Sequence, residues 1–279
     1  MHINCTGKGS PTVILEAGAG GWSIHWFEVQ KELSKYTRVC SYDRLGLGWS
    51  DLGELPRTVK KDANDLHELL IKSGEKGPFI LAGHSYGGYV ARTYYDSFPE
   101  NIAGIALIDS AHENQWEKLP VAKQMLDYGL NIARQDLEKA KNGQLKKEDY
   151  KNGIAPEMLA TYQEQMLQEK IHQTGVSVLE NIFETAKEVG KTKKLGDLPL
   201  LVLSAGNSFA AFLEDNEKNR PLLQNLNAGW MEMQKDLTTL STNSEHLISQ
   251  KDSHRFNRDN PQVIVAGIEF LIHKIKSKK

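Results

Sequence analysis

The tightest constraint on this chain is the run Ile80-Leu81-Ala82-Gly83-His84-Ser85-Tyr86-Gly87-Gly88-Tyr89. Apolar residues lead into Gly-x-Ser-x-Gly, and a helical stretch follows as far as Phe98. A serine at a sharp turn from strand to helix is held in a strained backbone conformation. The residues two positions either side must be small, because larger side chains would collide where strand and helix close up. Gly83 and Gly87 meet that need. The Ser85 hydroxyl then stands clear, and the Tyr86 N–H points to the same place. The spacing marks Ser85 as a candidate nucleophile, with a plain glycine-rich turn as the bland alternative.

Such a turn requires a buried strand before it, and similar strands recur. Residues 12–15, 38–42, 102–108 and 198–203 form short apolar runs that end in glycine or polar residues. Strands buried on both faces read this way. Helical stretches lie between them. Residues 59–73 carry Val59, Leu66, Leu69 and Leu70 and end at Gly74; 261–276 begins at Pro261 and puts Val263, Ile264, Gly267, Ile268, Leu271 and Ile275 on one face. The alternation predicts the α/β class, with a mostly parallel central sheet and helices on its faces. From about 112 to 194 there is no strand-like run, and Met158, Leu159, Tyr162, Met166 and Leu167 keep helical spacing. This predicts a helical insertion. The chain thus divides into core (1–111), helical cap or lid (112–195) and core again (196–279). An insertion placed straight after a strand end shapes a ligand site or forms a peripheral layer.

A serine nucleophile needs a base. His254 is the best placed of nine histidines, between the short run 246–249 and the last helix. His112, after a strand end, is second; His84 inside the turn and His246 at a strand edge read as structural. Asp109 follows the run 105–108 and would reach the same sheet edge as Ser85, so it is the expected acid. Asp215 and Glu214 remain alternatives, as does a helix-capping role for Asp109. The order Ser–Asp–His matches the usual triad order of serine hydrolases built on this turn. An oxyanion needs two donors. Tyr86 N–H is one, and Ala19 N–H in the turn Gly18-Ala19-Gly20-Gly21 is the other. That turn is no dinucleotide fingerprint, since Ser23 holds the last glycine position.

Composition excludes several classes. Lys plus Arg is 34 against 36 for Asp plus Glu, a formal charge of −2, so nothing points to nucleic acid. Cys5 and Cys40 form no CxxC pair, and no metal or cofactor is implied. No apolar run approaches a membrane span, and no signal-peptide pattern opens the chain. The expected compartment is therefore cytoplasmic. The strand-like start at His2-Ile3-Asn4-Cys5-Thr6 leaves an export or anchor segment, removed upstream, as the alternative. The basic tail 274–279 reads as a solvated helix end.

Taken together these residues resemble the α/β-hydrolase superfamily, and specifically a serine hydrolase of the esterase kind. Four blocks carry the resemblance: Glu16-Ala17-Gly18-Ala19-Gly20; Tyr42-Asp43-Arg44-Leu45-Gly46-Leu47-Gly48-Trp49-Ser50-Asp51; Gly83 to Gly88; and Ser253-His254. The second is similar to the family's Tyr/Phe-Asp-x-x-Gly-x-Gly-x-Ser pattern. The insertion resembles the family's cap. Two departures stand out. Glu16-Ala17-Gly18 replaces a common His-Gly, and Gly206-Asn207-Ser208 stands where the acid after the seventh strand usually falls. Some members carry the acid after the sixth strand, which is where Asp109 falls. A serine rather than an aspartate at the turn argues against haloalkane dehalogenase and epoxide hydrolase chemistry.

The resemblance implies hydrolysis of small to medium, partly apolar acyl compounds between turn and cap, with Trp22, Trp26, Tyr86, Trp116 and Met125 as candidate lining. Lactonase, amidase, C–C bond hydrolase and cofactor-free haloperoxidase activities would use the same triad. A binding protein that has lost turnover is the other alternative. The fold also puts Cys5 and Cys40 on neighbouring strands. A disulfide is conceivable there, but buried free thiols are the expectation.

Overall fold

A computed structural model describes residues 1–151 and 154–277. Seven strands form one sheet: β1 (Ile3–Thr6), β2 (Thr12–Glu16), β3 (Val39–Tyr42), β4 (Phe79–His84), β5 (Ile102–Ile108), β6 (Leu200–Ala205) and β7 (Ser244–Ser249). Their order is β1-β3-β2-β4-β5-β6-β7; β1 pairs antiparallel with β3, and every other pair is parallel. Around the sheet lie α1 (Phe27–Leu33), α2 (Val59–Lys72), α3 (Tyr86–Ser97), α9 (Arg220–Leu237), α10 (Phe256–Asp259) and α11 (Pro261–Lys276). Between β5 and β6 the described residues form α4 (Gln115–Lys118), α5 (Pro120–Lys141), α6 (Leu159–Met166), α7 (Glu169–Glu180) and α8 (Ile182–Val189).

The continuous apolar runs are the interior strands. β2, β3, β4 and β6 are buried at every position, whereas the edges β1 and β7 are partly exposed. Alternate side chains feed two cores. Ile14, Leu81, Ile105, Leu107 and Val202 pack with α2, α3 and α8; Val13, Leu15, Ile80, Ile108, Leu201 and Leu203 pack with α1 and α11. This is the period-two geometry of a strand covered on both faces. β7 begins at Ser244, two residues before the run 246–249, so His246 lies inside the strand and not at its edge. α11 ends at Lys276 as the periodicity predicts, while Lys278 and Lys279 lie outside the described residues.

The helices between β5 and β6 do not all stand off from the sheet. Ile182, Ala186 and Val189 of α8 belong to the first core, and Arg92 of α3 bonds both Glu113 (2.5 Å) and the Val189 carbonyl (3.3 Å). Ser177 in α7 accepts a hydrogen bond from Arg57 N–H (2.9 Å).

One expectation is corrected. Cys5 and Cys40 are not free thiols but a disulfide. The antiparallel register of β1 on β3 sets the two residues directly opposite each other, with Cα atoms 4.0 Å apart.

Candidate active site

The order of strands explains where the site forms. From β2 the chain crosses to β3 on one side and then returns to β4 on the other, so the connections diverge at the carboxyl ends of β2 and β4. Open parallel sheets bind ligands in such a crevice. Glu16 pairs with Gly83 in register, which brings the Gly18–Gly21 turn over the end of β4. A Cβ on Gly18 would lie 3.3 Å from the Ser85 Cβ.

Ser85 links β4 to α3 with φ 53° and ψ −120°. That conformation is uncommon for a residue with a side chain, and it persists because the surroundings impose it. A Cβ on Gly83 would sit 2.3 Å from the Gly87 carbonyl, so strand and helix can meet this closely only with glycine there. Tyr86 N–H opens α3, where first-turn N–H groups have no partner inside the helix. The Tyr86 ring goes the other way: it is buried, and its hydroxyl donates to Asp62 (2.8 Å), so it does not line the site.

Asp109 directly follows β5, with φ 40°, and its carboxylate is fully buried. His254 Nδ1 donates to its Oδ2 at 2.6 Å. Ser208 Oγ lies 2.7 Å from the same oxygen, and Oδ1 accepts from Ala205 N–H (3.1 Å) and Trp230 Nε1 (2.9 Å). Burial alone would raise the Asp109 pKa. The His254 hydrogen bond and charge, with the Ser208 and Trp230 donors, reverse that and hold it below the ordinary carboxylate value. Ser208, in the stretch that follows β6, thus donates to an acid at the end of the neighbouring strand β5. Asp215 is instead exposed and paired with Arg220 (3.2 Å), and Glu214 accepts from Asn216 (3.2 Å); neither contacts His254. His112 is buried, bonded to Asp236 (3.0 Å) and to Asn114 N–H (3.1 Å), and lines no cavity with Ser85.

His84 was read from the sequence as pinned inside the turn. Its Nε2 donates to the His254 carbonyl (2.8 Å), tying β4 to the loop that carries His254. Burial, then the nearby His254, push its pKa down to about 3, so it stays neutral.

The sequence pattern 42–51 has a mechanical role. Asp43 accepts from Ser23 N–H and Trp49 N–H, both at 2.9 Å, which folds the loop. Arg44 projects from it under the glycine turn, pairs with Glu16 and donates to the carbonyls of Ala17 (2.7 Å) and Gly18 (2.5 Å). Both carbonyls are thereby taken up by Arg44. Among the described residues no acceptor is found for Ala19 N–H, and Ala19 lines a cavity with Ser85.

Ser85 and His254 lie at the junction of two cavities. One, of about 330 Å³, is lined mainly by apolar side chains that include Trp116, Met125, Leu126, Phe209, Phe212 and Trp230. Trp116 and Met125 were expected there; Leu179, Phe209, Phe212 and Trp230 were not, because they lie far from Ser85 in sequence. Trp22 and Trp26 do not line it. Trp22 stacks on Tyr162 (5.3 Å between centroids) beside Leu47 and Ile171, and Trp26 is fully buried against Val29 and Leu33.

This topology, with a serine turn at the end of its central strand, defines an α/β protein of the hydrolase type. A family model described as the alpha/beta hydrolase fold matches residues 11–150, half of the chain. The chain belongs to that family. The Bacillus subtilis protein YqjL is 23% identical over 266 residues, covering 94% of this chain and 83% of that one. A probable transporter of Hormonema carpetanum is 37% identical over 118 residues; the match takes in 40% of this chain but only 17% of that protein's length. Among solved structures, a thermophilic esterase from Thermogutta terrifontis shares the fold, with a TM-score of 0.68, 20% identity and coverage of 98% of this chain and 93% of that one.

Proposed function

We propose that the protein is a serine hydrolase of carboxylic esters or related acyl compounds. The observation that carries this reading is the 2.6 Å bond from His254 to the buried Asp109, in a histidine that shares two cavities with Ser85. Asp109 accepts the hydrogen bond of His254 Nδ1–H and so fixes the tautomer in which Nε2 is the base. Ser85 Oγ attacks the substrate carbonyl and gives its proton to Nε2. Ala19 and Tyr86 N–H groups hold the oxyanion. The carbonyl–oxygen bond to the leaving group breaks, and the departing oxygen takes the proton from His254. Water, deprotonated by His254, then attacks the acyl carbon; the acyl–Ser85 bond breaks, Ser85 Oγ takes the proton back from His254, and the acid is released. The apolar cavity favours an apolar acyl group. The Cys5–Cys40 bond supports an oxidising compartment over the cytoplasm as the place of action.

The test is hydrolysis of p-nitrophenyl acetate, butyrate and octanoate by the wild type and by Ser85→Ala. Turnover that falls at least about 10³-fold in the variant is expected, together with fluorophosphonate labelling at Ser85. Folded wild-type protein that neither turns over these esters nor labels would favour a non-catalytic binding protein.

A further inference from the structure

The second cavity at Ser85, of about 370 Å³, is more polar than the first, and the charged side chains that line it are all basic. It is bounded by the Gly18–Gly21 turn, Ser85 and His254, and on the far side by His25, Tyr162, Arg255 and Arg258. Arg255 follows His254 directly, and Arg258 stands three residues on, in α10. The chain has eight arginines. Arg38, Arg44, Arg57, Arg92, Arg134 and Arg220 each pair with a carboxylate. Arg255 and Arg258 are both half-buried. Among the described residues, neither side chain has an ion pair within 4.0 Å or donates a hydrogen bond. Asp259 and Glu28 line the adjoining outer recess, outside pairing distance.

Two neighbouring guanidinium groups, partly withdrawn from water and with no carboxylate at pairing distance, are unfavourable. Burial, then the charge of Arg255, hold the Arg258 pKa below its ordinary value. Two of the histidines that line the cavity, His25 and His84, are kept neutral: burial, then Arg258 for the first and His254 for the second, lower each pKa to about 3. The positive field in the cavity therefore comes from the two arginines, and it opens onto Ser85. An anionic ligand would supply the missing partner through charge-assisted, fork-shaped hydrogen bonds.

We propose that Arg255 and Arg258 bind an oxyanion, carboxylate or phosphate, on the leaving-group side of the substrate, while its apolar acyl group occupies the 330 Å³ cavity. The preferred substrates are thus esters with one apolar and one anionic end. This rests on the esterase reading above, which supplies the scissile bond.

Three hexanoyl esters separate the possibilities: those of 4-hydroxybenzoate, of 4-hydroxyphenyl phosphate and of the neutral 4-hydroxybenzamide. At low salt, kcat/KM for at least one anionic ester should exceed that for the neutral ester by about tenfold or more. Whichever anion leads identifies the oxyanion. In Arg255→Gln/Arg258→Gln the ratio should fall toward one. Equal rates for all three esters with wild-type protein would overturn the proposal without recourse to any variant. Calorimetric binding of the same esters to Ser85→Ala protein reads the anion site independently of turnover. A similar preference for the anionic ester is expected there. Binding preference without wild-type turnover would keep the anion site and sink the esterase reading; turnover without either preference would do the reverse.

Discussion

Asp109 accepts hydrogen bonds on both carboxylate oxygens from groups that reach it from three directions: the end of β6, α9 and the loop after β7. Hydrogen bonds to a charged acceptor contribute about 1.5–3 kcal/mol each, which offsets the cost of burying the charge. Asp109→Asn is expected to lower kcat for p-nitrophenyl butyrate by about 10³–10⁴-fold, because the amide presents the wrong partner to His254 Nδ1. Asp215→Asn, at an exposed residue paired with Arg220, should change it by less than about twofold. Comparable losses in the two variants would remove Asp109 from its role. Ser85 and Asp109 are legible in the sequence because each follows an apolar run directly. Ser208 and Trp230 are not, being 99 and 121 residues from the aspartate they bond. Arg44 is visible only as part of a pattern; that it holds the carbonyls of Ala17 and Gly18 requires knowing that β2 and β3 are neighbours.

Among the elements, the interior strands are readable because burial on both faces leaves few polar residues in a strand, and those mostly at its ends. The edge pair β1 and β3 is where the reading failed. A cysteine in an apolar run looks the same whether it is a small hydrophobe or half of a disulfide, and the register decides. Cys5 opposite Cys40 closes a loop with a sequence separation of 35. A loop of that size predicts that Cys5→Ala/Cys40→Ala loses about 3–4 kcal/mol in urea unfolding. Thiol titration of the unfolded, unreduced protein should find no free thiol; two would refute the bond. The helices between β5 and β6 divide by function in a way composition does not reveal. α4 and α5 contribute Gln115, Trp116, Met125 and Leu126 to the apolar cavity, while α8 packs into the core beside α3. α5, α7 and α8 are each amphipathic, so the pattern reports an apolar face without saying what covers it.

Over the whole molecule, stability should depend on pH through the buried histidines. In the folded chain His84 titrates near 3, against 6.5 for the free side chain. The unfolded chain therefore binds this proton first on acidification. The contribution is fully present above about pH 6.5 and is lost as pH falls toward 3. His25, also lowered to about 3, acts in the same direction. Urea unfolding of His84→Gln should show a shallower loss of stability than the wild type between pH 6.5 and the carboxylate range. An unchanged slope would mean that His84 is not buried in its neutral form. The cavities are likewise a property of the whole, since each is walled by segments from both sides of the cap.

Local chemistry settles the alternation of strand and helix, the strained serine turn with its two obligatory glycines, and the position of an acid and a histidine after strand ends. Each depends on side-chain periodicity or on clashes between residues a few positions apart. The hydrogen-bond partners of Asp109, the Cys5–Cys40 bond, the burial of Trp22 and Trp26 away from the site, and the meeting of Arg255 and Arg258 with Ser85 depend on which strand ends become neighbours. That is set by packing the whole sheet between its helices, where the contacts that matter join residues far apart along the chain.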